Sequence, residues 1–161
     1  MGKYVMALDR DTNMDFDSLR GLLATASHPL NKPYYDSRKG RVVSGYGIFS
    51  PTVSVSLFSG MKTLFSSVFT ESGTNHYISF VSERNQDFFG EGIFSGKGLI
   101  DTEMFDKVCG DRFDKGRILS HDILEGSVLR TCFCPDAGIT DSFPSSPKSW
   151  FLRLHRWIRG D

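Results

Sequence analysis

Tyr4-Val-Met-Ala-Leu-Asp-Arg-Asp11 is the stretch whose reading decides the fold. A short, unbroken apolar run is halted by two carboxylates one residue apart. A run without polar alternation reads as a strand buried on both faces, as in a parallel sheet. The acids then stand at its carboxyl end, where open α/β sheets bind ligands. Two carboxylates there can share a divalent cation, which in turn can hold a diphosphate. The bland counterpart is an acidic turn. A parallel sheet whose first strand already carries such a site ordinarily has earlier strands, so the chain is expected to begin in the middle of a domain.

Downstream, Phe16, Leu19, Leu22, Leu23 and Ala26 recur at helical spacing between Asp15 and Ala26. His28-Pro-Leu-Asn-Lys-Pro33 ends that helix, with His28 as a loop or capping residue. From Tyr34 to Ser56 the texture turns β-branched, aromatic and glycine-punctuated, which predicts a small antiparallel excursion. Leu64 to Phe69 reads as a short helix and Thr70 to Thr74 as a loop. An apolar stretch from Tyr77 to Val81 follows, then a solvated charged segment, Glu83 to Asp87. Ile100 to Val108 reads as a helix capped by Asp101 or Thr102. Ile123 to Leu129 is a further helix and Arg130 to Cys134 a strand. Pro135 to Gly138 is a turn, and Ile139 to Phe143 extends again.

Two stretches carry chemistry beside the Asp-x-Asp. In Phe88-Phe-Gly-Glu-Gly-Ile-Phe-Ser-Gly-Lys-Gly98, four glycines with Glu91 and Lys97 make a backbone that can lie against a ligand; a hairpin with glycine bulges is the alternative. In Arg117-Ile-Leu-Ser-His-Asp-Ile-Leu-Glu-Gly126, Ile118, Leu119, Ile123 and Leu124 read as core residues that pin a loop-to-helix junction. Asp122 at that junction suits a general base, and a helix cap by Ser120 or Asp122 is the structural alternative. In the tail, Trp150, Leu154, Trp157 and Ile158 share one helical face with Arg153 and Arg156 beside it. A guanidinium next to an indole suits a diphosphate and a sugar ring; an amphipathic helix packed on a partner or a membrane surface is the alternative.

Composition narrows the classes. The 161 residues suit one domain, and 19 basic residues balance 19 acidic ones, so no field favours nucleic acid. Cys109, Cys132 and Cys134 lack metal-like spacing and read as reduced thiols. No apolar run approaches the about 18 residues that cross a bilayer, and neither a signal peptide nor a myristoylation pattern is present. The chain itself is therefore expected to be soluble.

Leu8-Asp-Arg-Asp11, Gly96-Lys-Gly98, Ser120-His-Asp122 and Arg153-Leu-His-Arg-Trp157 occur in an order that resembles the processive, inverting glycosyltransferases of the GT-A fold. More closely, the chain resembles the glycosyltransferase region of cyclic β-1,2-glucan synthases. His28-Pro-Leu-Asn-Lys-Pro33, Gly45-Tyr-Gly-Ile48, Phe89-Gly-Glu-Gly92, Gly96-Lys-Gly98, Leu119-Ser-His-Asp-Ile-Leu-Glu-Gly126 and His155-Arg-Trp-Ile-Arg-Gly-Asp161 carry that closer match, which covers nearly the whole chain. The resemblance implies one partial α/β domain over residues 1–161, a GT-A-like mixed sheet flanked by helices that lacks the N-terminal uridine-binding strands. It implies transfer of glucose from UDP-glucose to a growing β-1,2-glucan with inversion. Asp9 and Asp11 would hold Mg2+ or Mn2+, and Asp122 would be the base. Arg153, Arg156 and Trp157 would bind the donor diphosphate and sugar. Gly96, Lys97, Gly98, His121 and Glu125 would face donor glucose or acceptor.

It further implies a larger parent protein at the cytoplasmic face of a bacterial inner membrane, and self-association of faces left bare. Three positions depart from the pattern: Ser120-His121 replaces Thr-Glu, and Arg153 stands where the family has Gln. Two other functions compete with transfer. One is a domain that binds oligosaccharide without catalysis. The other is a hydrolase pairing Asp122 with Glu125.

Overall fold

A computed structural model describes residues 2–70, 83–113 and 121–160. Strands β1 (Tyr4–Ala7) and β2 (Asn13–Met14), helix α1 (Phe16–Ser27) and strands β3 (Tyr34–Asp36) and β4 (Arg41–Ser44) come first. Strand β5 (Ile48–Val55) follows, with short helices α2 (Leu57–Gly60), α3 (Leu64–Phe69) and α4 (Arg84–Phe89). Then come β6 (Gly98–Asp101), α5 (Thr102–Cys109), α6 (Asp122–Leu129), β7 (Thr131–Asp141) and α7 (Pro147–Gly160). Five strands form one mixed sheet in the order β1-β6-β5-β7-β2. Within it β5 and β7 are parallel and the other pairs antiparallel. The α/β class, a mixed sheet flanked by helices, is the one the sequence led us to expect.

Strand alternation builds a core on each face of the sheet. Ile48 joins Phe94, Val108, Val128 and Leu129 on the side covered by α5 and α6. Its neighbour Phe49 joins Leu22, Ala26 and Leu99 on the side covered by α1. Leu22, Ile48 and Leu129 are wholly buried, each contributing about 1.5–3 kcal/mol of transfer free energy. Asp101 caps α5 as expected, accepting from Met104 N at 3.0 Å, and Asp15 caps α1 by accepting from Ser18 N at 2.7 Å. Asp15's bonds to Ser18 hold its carboxyl below the usual range. His28 accepts from Leu30 N at 3.3 Å, a capping role. All three cysteines are free thiols. Among the described residues no helix is long and apolar enough to cross a membrane.

Several local expectations fail for identifiable reasons. Strand β1 is not buried and parallel: it pairs antiparallel with β6 and lies at one end of the strand order, with Val5 51% exposed. Tyr4 and Met6 pack inward, onto the α1 side. The antiparallel excursion stops at the β3–β4 hairpin, because Ile48 to Pro51 are buried and make β5 the middle strand of the sheet. The turn at Pro135 to Gly138 lies within β7. There the register steps from Pro51↔Cys134 to Thr52↔Gly138, and residues 135–137 bulge out. Pro51 and Pro135 lack the N–H a ladder needs, which breaks the pairing at that point.

The charged segment from Glu83 is folded rather than solvated. Glu83 caps α4 by accepting from Gln86 N at 2.7 Å and is 2% exposed. Gln86 in turn brackets Phe133 of β7, donating to its carbonyl at 3.1 Å and accepting from its N–H at 2.6 Å. Ile123 and Leu124 are not core: they are 52% and 39% exposed, while α6 buries Gly126, Val128 and Leu129. A Cβ at Gly126 would stand 2.9 Å from that of Phe94, so close packing selects the glycine face. The expected loop at Thr70 to Thr74 lies outside the described residues beyond Thr70. The apolar stretch Tyr77 to Val81, and Ile118, Leu119 and Ser120, lie outside them altogether.

Glu91 has a structural role in place of ligand approach. It pairs with Arg41 at 2.7 Å and with Arg130 at 3.3 Å. Arg130, at a positive φ of 58°, donates to Val43 O at 2.8 Å and Gly90 O at 2.9 Å and lies over the Tyr46 ring. One side chain thus joins β4, the glycine-rich segment and the end of α6. Arg130→Ala removes those bonds, and we expect a loss of about 2–3 kcal/mol in urea unfolding. A change within about 0.5 kcal/mol, the usual surface range, would show the cluster to be ornamental.

Candidate active site

Strand ends build the site. The apolar run of β1 is followed by the exposed turn Asp9 to Thr12, closed by Thr12 N donating to Asp9 O at 3.1 Å. At the opposite wall, α6 begins at Asp122, its first helical residue. His121 occupies the cap position and makes no side-chain capping bond. Asp122 is therefore not the cap, and Ser120 lies outside the described residues. A carboxylate in the first turn still benefits from the helix N-terminus. Helix α7 supplies the third wall.

These walls enclose a cleft of about 780 Å³ lined by Asp9, Arg10, Asp11, Ser95, Gly96, Asp122, Ser149, Leu152, Arg153, Arg156 and Trp157. The Asp-x-Asp pair, Asp122 and the arginine–tryptophan face of α7 thus meet, though more than 140 residues separate Asp9 from Arg156. Three carboxylates face three guanidinium groups across one opening. Such a surface suits a polar ligand that carries both an anion and a cation or hydroxyl groups.

Lys97 departs from the reading that it faces the cleft. Its ammonium is buried, 2.9 Å from Asp9 Oδ2 and in a short contact with Asp141 Oδ2. Asp141 Oδ1 accepts from Thr12 Oγ1 at 2.5 Å. Asp141 is 3% exposed; it lies within the extended run from Ile139 to Phe143, and no local pattern marks it as a partner of Lys97. Gly98 does not line the cleft either: a Cβ there would stand 2.6 Å from Phe49 O, so its smallness serves strand packing.

Gly96 does line the cleft and bears on Asp122 directly. Its φ is +86°, and a Cβ would lie 2.7 Å from Asp122 Oδ2. Glycine alone lets the carboxylate sit against the backbone there. His121 turns away, edge-on to the Phe113 ring at 5.6 Å. Glu125 also lies off the cleft lining, and burial, followed by the negative charge of Asp122, raises its pKa. Burial, reinforced by Glu125, pushes the Cys109 thiol up to about 11.

The two arginines of α7 differ. Arg153 Nη1 donates to Ser142 O at 3.0 Å, and its guanidinium lies 5.0 Å over the Trp157 ring. Trp157 meets Trp150 edge-on, and Trp150 stacks on Phe143 at 5.1 Å, which anchors the helix. Arg156 has no ion pair among the described residues. For a divalent cation, Asp9 and Asp11 are the carboxylates on hand. The described residues hold no group of three or more His, Cys, Asp or Glu that could ligate a metal. Two carboxylates fit a Mg2+-type ion that takes its other ligands from phosphate and water.

No family model matches the sequence. Against curated proteins, the chain is 38% identical over 161 residues to cyclic beta-(1,2)-glucan synthase NdvB of Rhizobium meliloti (strain 1021). The match takes in 99% of this chain and 6% of that protein's length. The resemblance to cyclic β-1,2-glucan synthases is thereby borne out, over a small part of the relative.

Gly96→Ala is expected to cost about 1–3 kcal/mol in urea unfolding, the usual range for a side chain forced into such backbone geometry. In an Asp122→Ala background the cost shrinks by about 0.5 kcal/mol or more, as for groups in contact. Equal costs in both backgrounds would mean that Gly96 does not shape the seat of Asp122.

Proposed function

We propose that this chain is a catalytic segment of a glycosyltransferase that moves glucose from UDP-glucose to a growing β-1,2-glucan with inversion. The convergence of Asp9, Asp11, Asp122, Arg156 and Trp157 on one cleft, in a stretch related to a glucan synthase, carries the reading. A Mg2+ or Mn2+ ion on Asp9 and Asp11 would offset charge developing on the leaving diphosphate. The remaining work falls to the chain itself. Arg156 donates to the diphosphate oxygens, and Trp157, held by Arg153 and Trp150, offers a face to a sugar ring.

Asp122 accepts the proton of the acceptor hydroxyl. The oxygen's electron pair closes on the anomeric carbon, and the bond from that carbon to the phosphate oxygen breaks, its pair leaving with UDP. Attack opposite the leaving group inverts the centre. Gly96 keeps space for the Asp122 carboxylate. The surrounding parent protein, working at the cytoplasmic face of a bacterial inner membrane, would supply the rest of the donor and acceptor sites.

UDP release from UDP-glucose with Mn2+ tests the assignment. Asp122→Asn should lower the rate about 10²–10⁴-fold, the usual contribution of a general base. A retained rate would remove Asp122 from that role. Glucan binding without metal, unaffected by Asp122→Asn and unaccompanied by UDP release, would point to an oligosaccharide-binding module.

A further inference from the structure

We propose that Lys97 is an internal counter-cation held by Asp141, and that it makes the Asp9–Asp11 pair discriminate against a bare divalent cation. The inference rests on reading Asp9 and Asp11 as cation-holding carboxylates. Lys97 and Asp141 are 8% and 3% exposed. A charge this deep is retained when its partners satisfy it, and here they are Asp141 on one side and Asp9 on the other. Thr12 Oγ1 fixes the second Asp141 oxygen at 2.5 Å, so the anchor cannot swing away freely. The side chain of Asp9 is 57% exposed and faces the cleft while Oδ2 is committed to the ammonium.

An arriving cation thus meets an Asp9 carboxylate that Lys97 already occupies. A bare ion must displace the ammonium or settle for the other oxygen. An ion that arrives on a diphosphate brings further ligands and need not displace it. Lys97 is in this sense a positioning residue whose effect is to couple cation binding to nucleotide binding.

Opposite shifts are expected from two variants. Asp141→Asn leaves Lys97 with Asp9 as its remaining carboxylate and makes the site one unit more positive. Lys97→Met/Asp141→Leu removes both buried charges together, which keeps the core neutral and frees Asp9. Mn2+ binding without nucleotide, read from the loss of the free-ion electron paramagnetic resonance signal, should weaken about tenfold or more in the first variant, the scale of one unit charge at these distances, and tighten in the second, where Asp9 recovers both oxygens for the ion. Adding Asp9→Asn to the second variant should abolish the gain. Circular dichroism checks that each variant is folded.

Damage to the fold would weaken both variants alike, so weakening in both overturns the proposal. Equal Mn2+ affinity in the wild type and the double variant overturns it too, while leaving the Asp9–Asp11 assignment standing. Absence of Mn2+ binding in all variants overturns both.

Discussion

The contact on which the site depends is the Lys97 ammonium between Asp9 and Asp141. It draws together the turn after β1, the residue before β6 and the last residue of β7. These segments lie far apart in sequence, and β1 and β7 are not neighbours in the sheet. Backbone pairing joins β1 to β6 directly and reaches β7 only through β5, so the ion pairs add a direct tie between the turn after β1 and the end of β7. The buried Lys97–Asp141 pair sets those ends close together, because leaving either buried charge alone would be costly, and the exposed Asp9 joins the same ammonium. Thr12 adds a neutral donor to the same knot.

From that knot the geometry of the cleft follows. Asp9 is pinned with its chain turned outward, Asp11 comes two residues later on the same turn, and Ser95 and Gly96 reach the cleft just before Lys97. Gly96 then meets Asp122, which the first turn of α6 presents. The α6 helix is placed by Gly126 against Phe94 and by Arg130, whose guanidinium spans to Val43 and Gly90. Helix α7 closes the third side through the ring series Phe143, Trp150 and Trp157. It buries none of its residues, so aromatic contact rather than core burial sets its position.

Elements governed by local physics were legible in the sequence. The spacing of α1, the Asp101 cap of α5 and the apolar and basic faces of α7 are all short-range patterns. The two carboxylates after the first apolar run do follow a strand end, although that strand lies at one end of the sheet order. What escaped is decided by residues distant in the chain. No local pattern tells that Lys97 turns inward, since its partner Asp141 is 44 residues away. The exposure of Ile123 and Leu124 depends on which face of α6 can approach Phe94. The Glu83 cap reads as charge until Gln86 is seen to clamp Phe133. Motif residues were therefore easier to name than the side chains that hold them.

The central claim is that the cleft of Asp9, Asp11, Gly96 and Arg156 receives a cation together with a nucleotide diphosphate. Paramagnetic broadening of backbone amide signals by Mn2+ in the presence of UDP locates that ion directly. The amides of Asp9, Asp11 and Gly96 are predicted to broaden first, while those of Glu91 and Arg41, which do not line the cleft, stay sharp. Broadening that spares Asp9 and Asp11, or that UDP leaves unchanged, would contradict it.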